Sequence, residues 1–132
     1  MRIFFLLLLQ LAIISCQTRM QNNSAKISFD INEYNMGDLE LNENTHCNFN
    51  FLNSGNSPLI IQNVKTSCGC TIPKYSMKPI KPGDKGSIEI RYDTSLPGVF
   101  NKTIKVYFNG NNSPVELKIK GRVEYPDNRE TN

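Results

Sequence analysis

From Ile27 onward the chain alternates apolar and polar residues with a period of two, the spacing of a strand that buries one face. Ile27, Phe29 and Ile31 are separated by Ser28 and Asp30, which predicts a first strand. Thr45, Cys47, Phe49 and Phe51 alternate with His46, Asn48 and Asn50 before Asn53-Ser54-Gly55-Asn56 turns the chain. Ser57 to Val64 predicts another strand, with Pro58 near its start, where a missing N–H is tolerated. Lys81-Pro82-Gly83-Asp84-Lys85-Gly86 is a turn signal ahead of Ile88, Ile90 and Tyr92. Leu96-Pro97-Gly98 turns into Phe100, Ile104, Val106 and Phe108, with Lys102 interrupting the apolar stripe. Gly110-Asn111-Asn112-Ser113 precedes Val115, Leu117, Ile119 and Val123.

Helical periodicity is hard to find. About seven short strands with one apolar face each predict an all-β domain over residues 26–125, an antiparallel β-sandwich of immunoglobulin-like architecture. A small barrel is the main rival. The chain has no Trp, so the Cys–Trp–Cys core of antibody domains is absent and any relationship is architectural. Residues 126–132 read as a polar tail.

The front of the chain breaks this pattern. Met1-Arg2 is followed by an apolar run from Ile3 to Ile14, interrupted at Gln10, and this has the layout of a secretory signal over residues 1–15. It is too short to span a bilayer, which needs ~20 apolar residues. Ile13-Ile14-Ser15-Cys16 resembles the bacterial lipobox, which implies cleavage before Cys16 and acylation of its sulfur and new amine. A thiol is the side chain with the nucleophilicity for that thioether. Residues 16–25 then read as the lipidated cysteine and a flexible tether, attaching the domain to a bacterial membrane. Gln17 is not Asp, so the inner-membrane retention signal is missing. That leans toward the periplasmic face of an outer membrane.

Composition narrows the function classes. The formal charge is +3, and lysines such as Lys102, Lys105, Lys118 and Lys120 are interleaved with Glu116, Glu124 and Asp127. This is a solvated face, and it argues against a nucleic-acid partner. No phosphate loop, paired carboxylates or nucleophile–base grouping stands out. The expectation is therefore a non-enzymatic module with a protein partner in the envelope and no small-molecule substrate.

Four cysteines become three if Cys16 is acylated: Cys47, Cys68 and Cys70. An odd count in an oxidising compartment allows one internal disulfide and one remaining thiol. Ser67-Cys68-Gly69-Cys70-Thr71 admits three chemistries. Cys68 and Cys70 could bond to each other through a glycine-centred bend and serve exchange. They could bind copper(I) or zinc, although zinc wants four ligands and only Cys47 and His46 are at hand. One of them could instead bridge Cys47 across the sheets. Alternation points Cys47 inward and His46 outward.

Tyr34-Asn35-Met36-Gly37, Phe49 to Gly55 with Pro58-Leu59-Ile60-Ile61, Ser67 to Pro73, Pro79 to Gly83 and Gly98 to Ile104 together resemble the bacterial domain of unknown function 1573. That family is frequent in Bacteroidetes and similar to the immunoglobulin-like domains of the ASPM, SPD-2 and Hydin group. The resemblance covers about Ile27 to Val123. It implies a seven-stranded sandwich exported to the envelope, often as a lipoprotein, and implies no activity. Members often carry His where this chain has Cys47, so any cooperation of that His with the paired cysteines is in doubt here.

Overall fold

A computed structural model describes residues 22–125; the expected signal, Cys16, the tether up to residue 21 and the tail lie outside the described residues. Eight strands are present: β1 (Ile27–Phe29), β2 (Glu33–Leu39), β3 (Asn44–Asn53), β4 (Ile61–Thr66), β5 (Thr71–Lys74), β6 (Lys85–Asp93), β7 (Gly98–Phe108) and β8 (Val115–Val123). They form two separate four-stranded sheets, ordered β1-β3-β6-β5 and β2-β8-β7-β4. Two open sheets face to face make a sandwich and dispose of the barrel alternative.

The alternation builds the core directly. Phe49, Phe51, Ile88 and Ile90 from the first sheet and Ile104, Val106, Leu117 and Ile119 from the second are all fully buried. Each such side chain contributes roughly 1.5–3 kcal/mol by leaving water. Registers fix the two ends of the sandwich. At the near end Ile27 pairs with Asn53 and Val106 with Val115; at the far end Asn44 pairs with Asp93 and Gly98 with Val123.

The count of about seven strands becomes eight because β2 and β5 form where no apolar alternation predicts a strand, while the expected first strand ends at Phe29. β1 pairs antiparallel with β3, and the chain then crosses so that β2 runs parallel to β8. The amide of Asp30 bonds the carbonyl of Asn50 in one sheet, and the amide of Lys118 bonds the carbonyl of Asn32 in the other. Ile31, expected on the buried face, sits in this crossover and is exposed. β2 escaped the hydrophobic pattern because six of its seven residues are not buried and a bulge at Asn35–Asp38, with Gly37 at φ 75°, breaks its alternation. The strand expected from Ser57 starts only at Ile61, since Leu59 pairs instead with Ile80.

Two side-chain arrangements hold the near end. Asn53, fully buried at the end of β3, donates to the carbonyls of Ser57 (2.8 Å) and Ile80 (2.9 Å) and accepts from the amide of Gly55 (3.1 Å). It thereby joins the β3–β4 connection to the segment that precedes β6. Ser24 and Ala25, expected as the end of the tether, are built into the domain. Ala25 is 2 % exposed and pairs with Gly110, and the carbonyls of Ser24 and Lys26 accept from Asn56 and Ser54. A Cβ on Gly55 would collide with the backbone of Ser24 to Lys26, and one on Gly110 with the Ala25 carbonyl. Gly55→Ala is therefore expected to cost about 1–3 kcal/mol in urea unfolding and to open residues 22–26 to limited proteolysis. Unchanged protection of that segment would refute the clamp.

Candidate functional site

The Cys68-Gly69-Cys70 segment lies where the chain leaves β4, at one edge of the second sheet, for β5, at the edge of the first. It is fastened on both sides. The Ser67 amide donates to the Thr103 carbonyl (3.1 Å), the Thr103 amide returns to the Ser67 hydroxyl (3.2 Å), and the Asp93 amide donates to the Cys70 carbonyl (2.8 Å). The Thr66 hydroxyl and the Thr71 amide both donate to the Cys68 carbonyl.

Within this bend Cys68 and Cys70 are joined as a disulfide, with Cα atoms 5.3 Å apart. Both are half-buried, and Cys70 is the one that packs against the core. Gly69 is exposed and faces open space. Closing so short a loop restrains the unfolded chain little, about 1.5 kcal/mol by chain-entropy scaling against ~3 kcal/mol for a 15-residue loop. The sulfurs have polar neighbours. The Cys70 amide donates to Cys68 Sγ at 3.3 Å, and the Thr71 hydroxyl lies 3.9 Å from each sulfur. Thr71 is 2 % exposed. Cysteine spacing does not mark Thr71; a hydroxyl immediately after Cys-Gly-Cys is the signal that could have.

Cys47 is not part of this site. It stands free on the inner face of β3, 3 % exposed and opposite Ile90, so the bridge from Cys47 to one of the pair is not formed. His46 is exposed on the other face, opposite Arg91. Among the described residues no group of three or more His, Cys, Asp or Glu is gathered for a metal. A zinc site of the expected kind would thus have only two sulfurs, while copper(I) could use the pair once reduced.

Burial keeps the Cys47 thiol neutral and pushes its pKa from 9.0 to about 11. Between those values the unfolded chain has lost the proton and the native state has kept it, so stability falls as pH rises through this window, by up to about 2 kcal/mol. Tyr92, also raised by burial and by Asp93, acts in the same direction. The stability difference between wild type and Cys47→Ala is expected to shrink from about pH 8.5 to about pH 10.5 in urea titrations, where the contribution of Tyr92 cancels. A constant difference would refute it.

A cleft of about 410 Å³ on the second sheet is lined by Asn35, Asp38, Asn101, Lys120 and Arg122 among others, and its lining holds no histidine, cysteine, serine or threonine. At the far end Leu96, Val99 and Tyr125 are 77 %, 79 % and 75 % exposed. Register brings them to one end, because β7 begins at Gly98 opposite Val123.

No curated protein matches the sequence. Among solved structures, the ASH/PapD-like domain 7 of human CEP192 is similar with a TM-score of 0.68 at 7 % identity, over 84 % of this chain and 94 % of that one. A protein of unknown function from Porphyromonas gingivalis W83 is similar with a TM-score of 0.68 at 20 % identity, over 75 % of this chain and 47 % of that one. The VesB protease of Vibrio cholerae is similar with a TM-score of 0.56 at 10 % identity, and the likeness spans only 32 % of that chain. At these identities the likeness concerns the fold, which is immunoglobulin-like and PapD-like. Residues 27–123, almost the whole of the two sheets, match the protein family of unknown function DUF1573, and the chain belongs to that family.

Proposed function

We propose that this protein is a membrane-anchored lipoprotein of the bacterial envelope, held by acylated Cys16, whose domain is a non-enzymatic module that binds a protein partner. The observation that carries this reading is the polarity of the sandwich. The N-terminal segment leaves from the near end, clamped by Gly55 and Gly110, and the exposed Leu96, Val99 and Tyr125 lie at the opposite end. Leu96 and Val99 flank the Gly98 start of β7 and Tyr125 follows its partner Val123, and exposed apolar side chains brought to one end in this way favour a contact surface. An anchor at one end leaves the other free to meet a partner, on the periplasmic face of the outer membrane. Crosslinking in native membranes from a photoreactive residue at Val99 is expected to give one discrete protein adduct that Leu96→Asp abolishes. No reproducible adduct, or one indifferent to Leu96→Asp, would overturn the reading.

A second reading is thiol–disulfide exchange at Cys68 and Cys70. It is favoured by a half-exposed disulfide that stabilises the fold little and has a buried hydroxyl beside both sulfurs. The pair is expected to open in a reducing glutathione buffer and to close in an oxidising one, as counted by mass spectrometry of alkylated peptides. A pair that stays in one state through both buffers would end this reading. The reduced pair is also a candidate for copper(I), testable by retention against a competing chelator.

A further inference from the structure

The two sulfurs of the loop are not equivalent. Cys68 Sγ accepts the Cys70 amide at 3.3 Å, whereas Cys70 is the cysteine packed against the core. A sulfur that already holds a backbone donor is the better thiolate, because charge on it is met by a dipole in place. The sulfur held against apolar side chains is less open to an incoming chain. Both considerations select the same atom.

We propose that Cys68 is the sulfur that forms the mixed disulfide with an exported protein's dithiol or disulfide, and that Cys70 resolves it. The inference rests on the exchange reading above and adds which sulfur reacts. When the loop is reduced and the partner oxidised, the Cys68 thiolate attacks one partner sulfur. The Cys68–partner bond forms, the partner disulfide breaks, and the departing partner thiolate takes a proton. Cys70 then loses its proton to solvent and attacks Cys68 Sγ, which forms the Cys68–Cys70 bond and releases the second partner thiolate. Two electrons pass from the loop to the partner, whose two sulfurs end as thiols. In the reverse direction a partner dithiol attacks Cys68, Cys70 leaves first, and Cys68 leaves second into the Cys70 amide.

Thr71 is a positioning residue for this step. Its hydroxyl is buried, has no hydrogen-bond neighbours among the described residues other than the two sulfurs, and can turn toward whichever of them carries charge. The exposed, side-chain-free Gly69 leaves a path over the bend for a partner's backbone.

The test uses the full chain, oxidised glutathione as probe, and peptide-resolved mass spectrometry so that Cys16 and Cys47 are followed separately. Reduced Cys70→Ser is expected to accumulate glutathione on Cys68 at least tenfold faster than reduced Cys68→Ser accumulates it on Cys70. Thr71→Val, which keeps the shape and loses the hydroxyl, is expected to slow the Cys68 reaction several-fold while the thermal midpoint moves little. Equal rates at the two cysteines, or faster reaction at Cys70, would overturn the assignment while leaving exchange itself intact. Absence of any exchange in the wild type would remove the underlying reading as well. A Thr71→Val variant that reacts at the wild-type rate would remove Thr71 from the step.

Discussion

Asn53→Ala is expected to lower the unfolding free energy of the domain by about 2–4 kcal/mol. Asn53 is fully buried and makes three side-chain hydrogen bonds, two as donor and one as acceptor. Truncation leaves the half-buried Ser57 carbonyl and Gly55 amide without these partners, while the Ile80 carbonyl keeps only the Leu59 amide (2.8 Å). Each stranded buried group costs roughly 1–3 kcal/mol. For a domain of this size that corresponds to a fall of roughly 10–20 °C in thermal midpoint. Asn53→Asp separates hydrogen bonding from shape. It keeps an acceptor for Gly55 but turns an oxygen toward two carbonyl oxygens, so at neutral pH it is expected to be at least as damaging as alanine. Should Asn53→Asp unfold like the wild type in urea, the two donated bonds do not hold the near end together.

Cys16→Ala is expected to move the protein almost completely from the membrane fraction to the soluble fraction of the same cells. Each buried CH₂ of an acyl chain contributes ~0.8 kcal/mol, and two or more chains give an anchor that does not exchange on the time scale of fractionation. Among the described residues no helix is long and apolar enough to cross a membrane. The domain is expected to stay folded in this variant, so its urea midpoint is the control. Membrane attachment that survives Cys16→Ala in high salt would refute lipidation at this cysteine.

The parts of the fold that could be read from the sequence are those in which burial follows a strict two-residue period. β3 and β6 carry unbroken inner stripes, and β7 and β8 are interrupted only at Lys102 and Gly121, so alternation alone points Cys47, Phe49, Ile88, Ile104 and Leu117 inward. β2 was invisible because it is a mostly exposed edge strand whose pairing with β8 depends on backbone hydrogen bonds and a glycine bulge. β5 is four residues long, contains Pro73, and owes its place to Pro73 pairing with Ile90 and Thr71 with Tyr92. The same limit applied to the candidate site. Spacing alone marked Cys68 and Cys70, but a local bond, a bridge to Cys47 and a metal site all satisfied it. The choice turns on β4 and β5 belonging to different sheets, which puts the pair on a crossing loop and leaves Cys47 within the core. Thr71 and Asn53 acquire meaning only from contacts that the tertiary fold creates.

The crossing of the chain from β1 in one sheet to β2 in the other also has a mechanical consequence. β2 and β8 are parallel neighbours, the chain comes into the sandwich at the near end, and β8 finishes at the far end. Tension between the N-terminal side and anything gripping the far end pulls β2 backward and β8 forward along their shared ladder. The backbone bonds between them, from Glu33 with Lys118 to Leu39 with Val123, then resist together in shear instead of opening one after another. A domain connected in this way can carry a pull from its N-terminal side to its far end without its β2–β8 ladder opening bond by bond.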